Sequence, residues 1–227
     1  MSRSHEIPET QVAVQLTGAD QLELNTSKPV PRPGPYQVLA KVEAVGLCFS
    51  DMKLLHSFTS HPRKGPIIKG IAPEILKEIP SYVPDELPTV PGHEVCVRII
   101  EVGEKVTHYK VGDRYLVQAD YRHLLTADSN AAFGYNFEGA LQQYTLLDER
   151  VNIGPDGESF LVPVSEEPGA SSIALVEPWA CVEESYVSPE RRAPKPGGRM
   201  LVVAEAGHKV EGLAAQRWLH GPQAGRT

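Results

Sequence analysis

The chain of 227 residues carries 22 Lys and Arg against 29 Asp and Glu, a formal net charge of −7, and this acidic balance excludes the basic footprint of a nucleic-acid or anionic-membrane binder. With 41% hydrophobic and 22% charged residues the composition is that of an ordinary globular protein, and no uncharged apolar run approaches the ~18 residues of a membrane span. The 19 Gly and 20 Pro favour turn-rich β structure over a helical bundle.

In chain order, the polar start over 1–6 does not read as an export signal. A Pro/Gly turn over 31–35 precedes alternation over 37–45, with Val38, Ala40, Val42 and Ala44 on one face, which predicts a half-buried strand. Periodicity is lost over 57–89, where Pro62, Pro66, Pro73, Pro80, Pro84 and Pro88 interrupt the chain and leave room for one short helix near 74–78. Alternation returns over 94–102, with Val95, Val97 and Ile99 on one side. A turn at 111–114 feeds a short strand over 115–117; 120–138 reads as irregular and 139–147 as a strand. The first convincing helix is predicted over 178–187, opened by Pro178 and stopped by Pro189. A Pro/Gly spacer over 193–198 then leads to a buried-type strand over 200–203 and an amphipathic stretch over 210–219. Cys48, Cys96 and Cys181 make no disulfide framework, which together with the absence of an export signal predicts a reducing, cytoplasmic setting.

Three short pieces could carry chemistry. Gly46-Leu47-Cys48-Phe49-Ser50-Asp51 follows the 37–45 strand; a thiolate, a hydroxyl and a carboxylate at that spacing suit a metal site, or Cys48 is a buried residue in a turn. Pro91-Gly92-His93-Glu94 presents an imidazole and a carboxylate at a strand start, or a polar loop residue and a surface charge. Val176-Glu177-Pro178 puts a carboxylate just before a helix, where the free N–H groups favour it with or without further role. Cys181, one turn on, reads as core. Taken together, Cys48, His93 and a glutamate make a three-ligand set with room for a fourth position, as a catalytic zinc needs. His56, His61, His108 and His123 read as solvated loop histidines.

These elements, with the run Val102-Gly103-x-x-Val106-x-x-x-x-Val111-Gly112-Asp113-Arg114, resemble the catalytic domain of the zinc-dependent medium-chain alcohol and polyol dehydrogenases over most of residues 10–200. The resemblance implies a mainly β fold with a few helices: a partly open GroES-like β-barrel over 1–190 with an insertion at 57–89, then a linker and the truncated, vestigial first strand and helix of a Rossmann domain over 191–227. It implies Cys48 and His93 as zinc ligands, with Glu94 or Glu177 completing the set, the latter directly or through water. Ser50 would begin a proton relay, and Asp51 would accept from the His93 N–H. The implied reaction is NAD(P)-dependent oxidation of a small alcohol or polyol, with zinc polarising the hydroxyl.

Departures from the pattern sharpen the expectations. The cysteines of a structural zinc are missing from 120–138, so one zinc is expected. His93 follows Cys48 by 45 residues, which makes 57–89 an insertion beside the metal, placed to wall the substrate cleft. Phe49 and Lys53 stand where some relatives keep basic residues for the coenzyme phosphate or the relay. Ala204-Glu205-Ala206-Gly207-His208-Lys209 lacks the glycines of a dinucleotide-binding turn, so NAD(P) is expected only with a separate Rossmann domain, and the chain alone is expected to be inactive. Three classes stay open: the zinc-bearing domain of a dehydrogenase, a non-catalytic zinc-binding β-domain derived from one, and a metal-free interaction module. Apolar surface at 200–219 would invite a cofactor-domain partner or a homo-oligomer.

Overall fold

The computed structural model describes residues 7–187 and Gly207. The chain separates into two units, Met1–Glu177 and Pro178–Thr227. The first opens with a hairpin of β1 (Thr10–Gly18) and β2 (Gln21–Pro29), followed by β3 (Gln37–Gly46) and helix α1 (Phe49–Ser57). A single 3-10 turn (Phe58–Ser60) and the one-turn helix α2 (Pro73–Leu76) lead to β4 (Glu94–Val102) and β5 (Arg114–Val117). Then come β6 (Asp120–Leu125), β7 (Asn130–Ala132), β8 (Tyr144–Asp148), α3 (Glu149–Asn152), β9 (Leu161–Pro163) and α4 (Ala170–Ala174). Helix α5 (Val176–Glu184) crosses into the second unit. Residues 1–6, 188–206 and 208–227, and with them the strand expected over 200–203 and the amphipathic stretch expected over 210–219, lie outside the described residues.

An antiparallel five-stranded sheet in the order β8-β3-β4-β5-β9 is the frame, with β1-β2 and β6-β7 as separate hairpins. The fold is therefore mainly β with a few helices. Alternation along β4 sends Val95, Val97 and Ile99 into the main core with Val38, Ala40, Tyr121 and Phe137. Cys96 faces the other way and packs with Leu116 and Ile173. Burial pushes its thiol up to about 11, which makes it a packing residue rather than a nucleophile. Among the described residues, no helix is long and apolar enough to cross a membrane.

Several expectations need correction. Residues 120–138 are not irregular throughout, because Tyr121 pairs with Ala131 and Asp120 with Ala132 in the β6-β7 hairpin. The strand expected over 139–147 is confined to Tyr144–Asp148. Helix α5 starts two residues earlier than predicted, so Pro178 is its third residue and Glu177 lies inside the first turn. Cys181 is exposed rather than core. His123 is not solvated: both ring nitrogens are buried without a hydrogen-bond partner, and the ring lies 5.2 Å from Phe160. His61 is half-buried against Tyr135.

The 57–89 segment is held by isolated backbone bridges, such as Lys69–Leu125 and Leu16–Thr89, and by side-chain to backbone bonds rather than by a continuous ladder. The fully buried Lys64 donates to the carbonyls of Val83 and Leu87, and its amino group is lowered to about 8 by burial. The Ile67 amide donates to the Tyr82 hydroxyl (2.7 Å), Thr126 Oγ1 to the Pro62 carbonyl (2.8 Å) and Asn136 Nδ2 to the Gly65 carbonyl (3.2 Å). These bonds satisfy backbone groups that six prolines keep out of regular structure.

A buried carboxylate ties α3 to the turn after β4. Glu149 accepts from the Thr107 amide (2.8 Å) and hydroxyl (2.7 Å) and pairs with His108. Burial alone would raise its pKa, but the bonds from His108 and Thr107 outweigh this and hold it below the ordinary 4.5. The folded value lies below the unfolded one, so this stabilisation is present above 4.5 and is lost as pH falls through the folded value. Glu149→Gln is expected to flatten the acid limb of stability against pH, read by urea unfolding from about pH 7 down to about pH 3. An unchanged acid limb would mean that other carboxylates carry it.

Candidate metal centre

Two strand ends and one helix start build the site. β3 ends at Gly46, Cys48 is the N-cap of α1, and β4 begins at Glu94 directly after Pro91-Gly92-His93. The antiparallel register sets Gly46 opposite Glu94, which brings the Cys48 and His93 segments side by side. A side chain at position 46 would collide with Glu94 Oε2, so glycine there makes room for the carboxylate.

Cys48 Sγ, a ring nitrogen of His93 and a carboxylate oxygen of Glu94 all lie within 4.8 Å of one another. His93 and Glu94 are buried and Cys48 is half-buried. A thiol from one segment and an imidazole and a carboxylate from another fit the donor set of a catalytic zinc. Glu177 is outside this tight set, yet near enough that its charge acts on His93.

Asp51 knits the pieces. It is the third residue of α1; its Oδ2 accepts from the Cys48 amide (2.9 Å) and its Oδ1 from the Gly92 amide (3.1 Å). The first bond is half of a capping box, which anchors the helix start to the cysteine. Asp51 Oδ1 also lies 3.4 Å from His93 Nδ1, an ion-pair separation too long for a tight hydrogen bond. Burial would raise the Asp51 pKa, but His93 and the Cys48 and Gly92 amides hold it below the usual carboxylate range. Burial would lower the His93 pKa, but Asp51, then the charges of Glu177 and Glu94, raise it. Ser50 Oγ stands 3.2 Å from His93 Nε2, on the opposite edge of the ring from Asp51.

The structure adds residues that the sequence patterns passed over. Tyr135 stacks on His93 with ring centroids 5.6 Å apart and on His61 at 5.0 Å. The Gly139, Ala140 and Leu141 amides donate to the Val90, Gly92 and Pro91 carbonyls (2.6, 2.9 and 2.9 Å) and fix the turn that carries His93. A glycine two residues after Phe137 is the sequence signal for that close approach, and it is visible only once its neighbours are known.

Residues 34–154 match the alcohol dehydrogenase GroES-like domain family. The chain is 32% identical over 131 residues to an NAD-dependent alcohol dehydrogenase of Sulfurisphaera tokodaii, covering 52% of this chain and 33% of that protein. It is 35% identical over 107 residues to the sorbitol dehydrogenase of Gallus gallus, covering 47% of this chain and 24% of that one. The structure is similar in fold to 2R,3R-butanediol dehydrogenase from Bacillus subtilis, with TM-score 0.58 and 24% identity over 81% of this chain and 49% of that one. The chain thus spans less than half the length of these proteins. With more than half of its residues in the matched domain, and with the motifs at 46–51 and 91–94 brought together by it, the chain belongs to the alcohol dehydrogenase GroES-like domain family.

Proposed function

We propose that this chain is the zinc-holding catalytic domain of a dehydrogenase that oxidises a small alcohol or polyol, with hydride passing to a nicotinamide coenzyme held by a separate Rossmann domain. The observation that carries this reading is the convergence of Cys48, His93 and Glu94 donor atoms within 4.8 Å. Those three residues would hold the metal, and Glu177 would approach from the start of α5. Bound zinc supplies Lewis acidity toward an alcohol hydroxyl.

The remaining work falls to the chain's own residues. Asp51 orients Cys48 and the turn carrying His93 through its bonds from the Cys48 and Gly92 amides, and its charge faces His93 Nδ1 at 3.4 Å. Ser50 Oγ, at the ring edge of His93, would relay the alcohol's hydroxyl proton, gaining it as its own O–H proton leaves to solvent water. The buried Tyr135, in ring contact with both His93 and the half-buried His61, would restrict water on that side of His93.

The test is a cobalt(II) titration of the purified chain. One equivalent is expected to saturate, with a thiolate-to-cobalt charge-transfer band that is lost in Cys48→Ala. No uptake, or a band that survives Cys48→Ala, overturns the reading.

A further inference from the structure

The 57–89 segment places an imidazole and a guanidinium one ring away from the candidate metal ligand His93. Tyr135 is the spacer: His93 stacks on it, and on it also lie the His61 ring, at 5.0 Å between centroids, and the Arg63 guanidinium, at 5.8 Å from the ring centre. Lys53, on the exposed side of α1, has its ammonium 5.5 Å from the centre of the Phe49 ring and acts electrostatically on His61 together with Arg63. We propose that Lys53, His61 and Arg63 form an anion-recognising wall beside the metal set, so that the substrate is an alcohol that also carries a carboxylate or phosphate group.

This rests on the metal-site reading and specifies its substrate class. The charges around the wall support it. Cys48 as thiolate and Glu94 as carboxylate would offset the charge of a divalent ion, so the wall supplies the positive charge left over beside it. Arg63 pairs with Asp120, but that carboxylate is shared with Arg122 at 3.8 Å and with Asn130 Nδ2 at 3.3 Å, leaving the two arginines in excess of it. Lys53 has no ion pair among the described residues. The Arg63 amide donates to His61 Nδ1 at 3.2 Å, so a neutral His61 carries its hydrogen on Nε2 and presents a donor. Burial, then Arg63 and Lys53, lower the His61 pKa and favour that neutral form. A guanidinium, an ammonium and an imidazole N–H make a charge-assisted receptor for an anionic oxygen group.

The experiment uses the full chain loaded with cobalt(II) and compares glycerol, glycerate and glycerol phosphate as probes, read by calorimetry and by the cobalt absorption bands. At least one anionic probe is expected to bind about tenfold or more tightly than glycerol at low salt, with the preference falling as salt rises. Which anion gains decides between carboxylate and phosphate. Lys53→Met and Arg63→Met are each expected to remove most of the preference and Arg63→Lys to keep part of it. Because Lys53 is exposed, Lys53→Met tests the wall even if Arg63→Met loses stability. Equal affinity for all three probes, or an anion preference untouched by either Met variant, overturns the proposal; in the second case the anion sits on the metal. Failure to take up cobalt overturns the metal reading and this proposal with it, and is told apart by the absent charge-transfer band.

Discussion

Gly139→Ala is expected to cost about 3 kcal/mol and to lower the thermal midpoint by about 6–12 °C. A Cβ at this position would stand 2.5 Å from the Gly92 carbonyl oxygen, 2.7 Å from Gly134 Cα and 2.7 Å from the Pro91 carbonyl oxygen. All three are backbone atoms, so no rotamer change relieves the collision; one of two packed loops has to move. The loop that would move is the one carrying His93, since the 139–141 amides bond the 90–92 carbonyls. The same substitution is therefore expected to weaken cobalt binding as well as stability. Gly157→Ala is the control: φ is +83° there, but nothing lies within 4 Å, so the cost is the left-handed backbone penalty of about 1–2 kcal/mol, with metal binding unchanged. Calorimetry and cobalt titration on both variants check this. Equal, small effects would mean that the 139–141 loop does not hold the metal turn.

The regular part of this fold was legible because its periodicity is local. Val95, Val97 and Ile99 alternate in sequence and lie on one face of β4. The β1-β2 hairpin was not read, and its burial shows why: the buried residues of β1 include Gln11 and Ala13, while the more apolar Val12 is exposed. Gln11 is tolerated inside because its amide meets Gln142 at 3.3 Å and the Tyr144 amide at 2.7 Å, partners more than 130 positions away. Helix α1 was missed because its cap is a cysteine, an unusual residue in that role, although Asp51 at the third helical position completes the box. The ordered 57–89 segment leaves no period to detect, since its order comes from isolated backbone bridges and from Lys64, Tyr82, Thr126 and Asn136 reaching single backbone groups.

The candidate site was legible as separate words but not as a shape. Cys48, His93 and Glu94 could be picked out by residue type, whereas their closeness depends on the register that sets Gly46 against Glu94. Glu94 and Glu177 could not be ranked from spacing; geometry puts Glu94 in the tight set and leaves Glu177 acting on His93 from outside it. The wall of Lys53, His61 and Arg63 was beyond reach of spacing, because Tyr135, far along the chain, is what gathers two of its members.

Asp51→Asn is expected to lower cobalt affinity about 10–100-fold while the chain stays folded. Both carboxylate oxygens of Asp51 accept backbone hydrogens, Oδ2 from Cys48 and Oδ1 from Gly92, and Oδ1 also faces His93 Nδ1. An asparagine keeps one acceptor and turns the other oxygen into a donor. Whichever way the amide is turned, an N–H then points at an N–H, either at the start of α1 or at the His93 turn. The loss of negative charge also removes the ion-pair partner of His93 Nδ1, leaving the ring to Ser50 and Tyr135. Asp51→Ala abolishes both contacts and is expected to be at least as damaging to metal binding, with about 1 kcal/mol of helix-cap stability lost besides. Metal titration and thermal unfolding of the two variants separate the roles. A fall in midpoint with metal affinity unchanged would reduce Asp51 to a helix cap, whereas a fall in affinity in both variants, larger than the change in stability explains, marks it as the residue that positions Cys48 and His93.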